Sequence, residues 1–204
     1  GASCLHIVDV DGAVMGYPVH DDLIREIVRT VSIPVQAGGG IRSIKDIDYL
    51  LNMGVRRVVC TTQAVQSNRF VEEAIASFGS DCFVAGIDAV NGMVAVEGRE
   101  RLSKYNPISL INGMGQSGVT TVIYTDILRS SLQKGPSIDN TRELVARTNV
   151  KIIYAGGIAS LADIEAISRL NVEGVIIGSS LYNGHVDLKK AIDIFEKGMT
   201  GNEN

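Results

Sequence analysis

Val35-Gln36-Ala37-Gly38-Gly39-Gly40-Ile41-Arg42-Ser43 and Ile152-Ile153-Tyr154-Ala155-Gly156-Gly157-Ile158-Ala159-Ser160 decide the fold between them. Each is a short, mostly apolar run that ends on glycines and opens a helix. They stand a constant 117 residues apart. Aligned at that offset, residues 35–62 and 152–179 share eight identities in 28 positions, where ordinary composition gives about two. Gly39, Gly40, Ile41, Ser43, Asp46, Ile47, Val55 and Val58 match Gly156, Gly157, Ile158, Ser160, Asp163, Ile164, Val172 and Val175. The same offset pairs Asp9 with Asp126, each late in a strand-like run.

Working outward, apolar strands alternate with amphipathic helices. Strands are expected at Cys4–Val10, Ile33–Ala37, Arg56–Cys60, Cys82–Asp88, Thr120–Thr125, Lys151–Ala155 and Gly174–Ile177. A short β excursion is expected at Met93–Glu97, after the Asn91-Gly92 turn. Helices are expected near Val19–Thr30, Ser43–Met53, Asn68–Phe78, Pro107–Gln116, Leu161–Leu170 and Asp187–Lys197. Another should start at an Asp139 cap and run to Thr148, after a polar loop that reaches Ser137. The strands are continuous apolar runs, which suits a parallel sheet covered by helices. A twofold repeat of four βα units makes eight, and a (β/α)8 barrel uses them symmetrically. Only seven such strands are visible. The expectation is one barrel domain over residues 1–204 with the first βα unit missing.

Composition narrows the function. The 204 residues are 45% hydrophobic with a net charge of -4. An acidic chain is a poor nucleic-acid binder of the broad basic-face kind. No apolar run approaches the roughly 18 residues of a membrane span. Three widely spaced cysteines, Cys4, Cys60 and Cys82, fit buried free thiols in a reducing, cytoplasmic setting better than a disulfide frame or a metal site.

In barrels the working residues lie at the C-terminal strand ends. Gly38-Gly39-Gly40 and Gly156-Gly157 end strands and open helices, where bare backbone N–H groups favour an anion. Each is followed one unit later by small polar residues, Thr61-Thr62 and Gly178-Ser179-Ser180. Two phosphate cups on opposite sides of the mouth are expected, which suits a ligand with a phosphate at each end. Asp88 ends its strand as a candidate acid. Thr125 is a candidate hydrogen-bond partner, and Asp126 a loop brace. His6 reads as a strand support residue, and His20 and His185 as surface residues.

The segments His6–Ala13, Pro34–Ser43, Gly86–Asp88 with Val94–Val96, Tyr124–Ile127 and Ala155–Ile158 together resemble the histidine-biosynthesis ribotide isomerase family. The resemblance implies a duplicated half-barrel and an Amadori rearrangement, from aldose to ketose, of a bis-phosphorylated aminoimidazole carboxamide ribotide. It implies no cofactor and no metal. By position, Asp88 matches the proton donor and Thr125 an active-site threonine. Gly39, Gly40 and Thr62 match one phosphate cup; Gly157, Gly178 and Ser179 match the other. Asp9 and Arg42 are expected among the substrate- and phosphate-binding residues. The family's base, an Asp on the first strand, is not in this chain. Ser130 and Arg99 stand where the family carries Asp and Trp. An impaired phosphate-binding barrel and the sister cyclase are the alternatives, and self-association through the open seam is expected.

Overall fold

The computed structural model describes residues 1–90, 92–96, 101–103, 105–132 and 135–200. Its strands are β1 (Leu5–Val8), β2 (Val35–Gly38), β3 (Arg57–Cys60), β4 (Phe83–Val90), β5 (Met93–Val96), β6 (Arg101–Leu102), β7 (Thr121–Asp126), β8 (Lys151–Ala155) and β9 (Gly174–Ile176). The helices are α1 (Val10–Met15), α2 (Asp21–Thr30), α3 (Ile44–Asn52), α4 (Thr62–Gln66), α5 (Asn68–Phe78), α6 (Pro107–Gln116), α7 (Ile127–Leu132), α8 (Ile138–Arg147), α9 (Leu161–Ser168), α10 (Ser179–Tyr182) and α11 (Leu188–Thr200).

Seven strands pair side by side in the order β1-β2-β3-β4-β7-β8-β9, and every one of these pairings is parallel. They form a nearly closed, partial (β/α)8 barrel. β5 and β6 form an antiparallel excursion on the end of β4, with Asp88 opposite Ala95. Among the described residues, β1 and β9 are the sheet's two ends.

Alternate strand residues face two separate cores. Ala37, Val58, Ala85, Ile87, Val122, Tyr124 and Ile152 pack outward against Ile47, Leu50, Val71, Ile111 and Ile164 of the surrounding helices. Val59, Val84, Ile123, Ile153 and Ala155 pack together inside the barrel. This double burial is why β8 lacks polar alternation after Lys151. β1 and β9 depart from it, because each has a neighbour on one side only: Val8 is 52% exposed and all of β9 is only half-buried.

The repeat is structural. Ser43 and Ser160 each cap a helix through a reciprocal box with Asp46 and Asp163. The Asp46 carboxylate accepts from Ser43 N at 2.8 Å and Arg42 N at 3.0 Å; Asp163 accepts from Ser160 N at 2.9 Å and Ala159 N at 3.0 Å.

Several expected boundaries move. The strand expected over Cys4–Val10 stops at Val8, because Asp9 caps α1 by accepting from Gly12 N. The segment after Asp126 is not a polar loop throughout, since it opens with α7. Asp139 does not cap α8: Ser137 holds that position, and Asp139 pairs with Arg142 at 2.6 Å. Asn91, Glu97, Gly98 and Arg99 lie outside the described residues.

His6 lies on β1 with its Nδ1 3.1 Å from Gln36 Nε2. Burial, with help from the nearby Arg57 cation, lowers its pKa from 6.5 to about 4. The ring is neutral in both states above pH 6.5, but the unfolded chain protonates it first, so stability is intact above that pH and falls as pH drops through the window. The whole loss is about 3 kcal/mol. Urea unfolding between pH 4 and 6.5 should show this slope, and His6→Gln should flatten it. A slope unchanged in that variant would place the titration on another group.

Candidate active site

Asp88 and Thr125 are brought side by side. They are register partners across the β4–β7 ladder. Asp88 is two pleats beyond the lumen residue Val84 and Thr125 one beyond Ile123, so both belong to the inward-facing set. Both are half-buried at the carboxyl end of the barrel. β5 pairs Asp88 from its other side, which fixes its backbone between two strands.

The glycine loops flank this pair through the repeat. Gly39 and Gly156 have φ of 115° and 109°, and Gly40 and Gly157 have φ of 72° and 75°. A Cβ at Gly39 would overlap the carbonyl oxygen of Asp9, and one at Gly156 would overlap that of Asp126. A Cβ at Gly40 would meet the Gly12 carbonyl oxygen at 2.8 Å; one at Gly157 would meet Gly135 O at 2.5 Å and Arg129 Cβ at 2.8 Å. These glycines therefore let neighbouring loops close on each other. Thr62 and Ser179 are the first residues of α4 and α10, whose leading N–H groups have no partner within the helix. A Cβ at Gly178 would meet nothing within 4 Å.

Two expected ligands stand differently. The Asp9 carboxylate is buried. It accepts from Gly12 N at 2.8 Å, Val19 N at 2.7 Å and His20 N at 3.0 Å. Burial alone would raise its pKa, but the N–H donors of His20, Gly12 and Val19 outweigh that and hold it below the usual carboxylate range. In this geometry the carboxylate organises the loop after β1. The Arg42 guanidinium lies against Gly16 of that loop, its Nε 2.8 Å from where a Cβ would stand. His20 pairs at the surface with Asp11, 2.6 Å away, and this bond raises its pKa. Among the described residues, no three His, Cys, Asp or Glu side chains gather as a metal site.

The family model described as "Histidine biosynthesis protein" matches residues 1–187. Similar curated proteins are named 1-(5-phosphoribosyl)-5-((5-phosphoribosylamino)methylideneamino) imidazole-4-carboxamide isomerase. The one from Lachnoclostridium phytofermentans is 50% identical over 197 residues, 97% of this chain and 82% of the relative. This chain belongs to that isomerase family. Its relatives from Clostridium novyi and Halothermothrix orenii are 41% identical over 97% of this chain and 42% identical over 93%, spanning 82% and 80% of those proteins. The isomerase family's duplicated barrel is what the repeat and the strand order describe. Among the described residues, no helix is long and apolar enough to cross a membrane.

Sequence reasoning missed two contributors to this mouth, the Arg129 Cβ against Gly157 and the Tyr154 hydroxyl, which accepts from Ser137 N at 3.1 Å. The 117-residue offset held the signal for Arg129, which is the counterpart of Gly12.

The close approach at Gly39 can be measured. Gly184 also has positive φ, 72°, but a Cβ there would meet nothing within 4 Å. Gly184→Ala should cost about 1 kcal/mol of conformational strain. Gly39→Ala should cost at least about 2 kcal/mol more, or prevent folding, because its Cβ also meets a carbonyl oxygen. Equal losses in denaturant melts would mean that the contact relaxes freely.

Proposed function

We propose that the barrel mouth isomerises a bis-phosphorylated aminoimidazole carboxamide ribotide from aldose to ketose. Asp88 is the proton donor and Thr125 hydrogen-bonds the reacting sugar. Gly39, Gly40 and Thr62 hold one phosphate; Gly157, Gly178 and Ser179 hold the other, with Arg42 bordering the first cup. The observation that carries this reading is the pairing of Asp88 with Thr125 midway between two glycine loops of matching backbone geometry. A short helix such as α10 after a late strand is a recurrent phosphate site in barrels.

The chemistry needs no more than proton transfers. Asp88 gives a proton to the ribose ring oxygen as the ring opens. A base removes the proton from C2, and the resulting enol form collapses to the ketose. The repeat supports a position for the base. Its offset carries β1, β2 and β3 onto β7, β8 and β9, which leaves the place between β9 and β1 for a counterpart of β4. We assign the base to a carboxylate on an eighth strand there, the counterpart of Asp88. An impaired barrel is the second reading; Ser130, exposed on α7, favours it by standing where the family motif has Asp. A cytoplasmic location goes with either.

In a protein carrying all eight βα units, Asp88→Asn should lower kcat by at least ~100-fold with KM little changed, since that is the scale of general acid help. Normal turnover would move the acid elsewhere, with Asp126 the next candidate. Residues 1–204 alone should self-associate, because the open edges of β1 and β9 present unpaired backbone groups that recruit other chains. Sedimentation tests this: a monomer with a cooperative melt would show that the seam is closed from within.

A further inference from the structure

The two halves brace their glycine loops by a shared device with different acceptors. In the first half, the Asp9 carboxylate accepts from Gly12 N at 2.8 Å, and the Gly12 carbonyl lies against Gly40. In the second half, the Asp126 carboxylate accepts from Arg129 N at 3.0 Å, and Arg129 lies against Gly157. Asp9 and Asp126, Gly12 and Arg129, and Gly40 and Gly157 are all 117 residues apart. Both carboxylates are buried, at 4% and 8% exposure. Neither is the acid Asp88, nor at its register position.

Beyond that first bond the halves diverge. Asp9 also accepts from Val19 N and His20 N. The counterpart of Val19 is Pro136, which has no N–H to give. The counterpart of His20 is Ser137, whose N–H goes to the Tyr154 hydroxyl at 3.1 Å. Tyr154 replaces Ala37 of the first half. Among the described residues, Asp126 thus accepts from one backbone N–H where Asp9 accepts from three.

We infer that Asp9 on one side, and Asp126 together with Tyr154 on the other, are positioning residues that set the two phosphate cups independently, without touching substrate. This rests on the reading of Gly39–Gly40 and Gly156–Gly157 as phosphate cups. An ionised acceptor shared by three amides holds the first cup, and a carboxylate assisted by a neutral phenol holds the second. Each cup can then be tuned without altering the other, which suits a substrate whose two phosphates sit on different groups.

The test reads each cup by itself. The full-length protein, labelled with 15N, is titrated with inorganic phosphate while the amide signals of Gly39, Gly40, Gly156 and Gly157 are followed. Asp9→Asn leaves an NH2 facing one backbone N–H or more. It should weaken the phosphate response at Gly39 and Gly40 roughly 10-fold, the scale of one charge-assisted hydrogen bond, and leave Gly156 and Gly157 unchanged. Asp126→Asn and Tyr154→Phe should do the reverse, and Tyr154→Phe removes only a hydroxyl should the Asn variants fail to fold. Equal affinity at both cups in every variant, or uniform weakening at both, overturns the inference while leaving the cups in place. No phosphate response at any of the four glycines in the unaltered protein overturns the phosphate reading itself, and the inference with it.

Discussion

The carbonyl oxygens of Asp9 and Asp126 occupy the space that a side chain at residue 39 or 156 would need. That close approach joins the end of β1 to the loop after β2, and the end of β7 to the loop after β8. It forces glycine at both sites and turns the following glycine, 40 or 157, to φ near 75°. With both glycines in positive φ, the backbone swings across the mouth before the Ser43 and Ser160 capping boxes start α3 and α9. The mouth keeps its shape because strand ends are locked to neighbouring loops through backbone atoms, which no side-chain rotation can loosen.

Below the mouth the same parallel ladder has two demands. Its outward residues need helices and its inward residues need one another. The five strands from β2 to β8 along the sheet satisfy both, and Val84, Ile87, Val122 and Tyr154 are essentially sealed from solvent. β1 and β9 satisfy them from one side only. Val8 at the end of β1 and Val10 and Val14 on α1 are exposed. A lumen needs walls all round, and the place between β9 and β1 is the one that these strands leave open.

Most of this was legible in the residues because it follows from periodicity and backbone rules. α5 and α6 have the bounds their apolar spacing predicts, and β8 runs from Lys151 to Ala155 as read. Capping serines and strand-end glycines are local signals with local causes, and they stood out. The short helices α1, α4, α7 and α10 did not, because pieces of four to six residues carry less than two turns of pattern. The three amide partners of Asp9 were hidden for a related reason. A carboxylate at a strand end has the same sequence signature whether it faces a ligand or folds back on three amides, and only the path of residues 10–20 distinguishes the two. Tyr154 was hidden by its strand, where an aromatic residue reads as core until the Ser137 amide is found on its hydroxyl.

The repeat explains why the scaffold is symmetric while the chemistry is not. Gly39, Gly40 and the Asp46 box are copied as Gly156, Gly157 and the Asp163 box, because the same close approach to a neighbouring strand end recurs on either side of the barrel. The inward-facing side chains between them are not copied. The counterpart of Thr125 is Val8, which exchanges a hydroxyl for a methyl of nearly equal size and removes a donor and an acceptor from one wall. Arg129 faces Gly157 where Gly12 faces Gly40, and Arg42 has Ala159 as its partner in the repeat. A doubly phosphorylated ligand could enter a perfectly symmetric mouth in two orientations, only one of which would bring its ribose to Asp88. The broken positions lie between and around the two repeated glycine loops, where they can favour one orientation without disturbing the loops themselves.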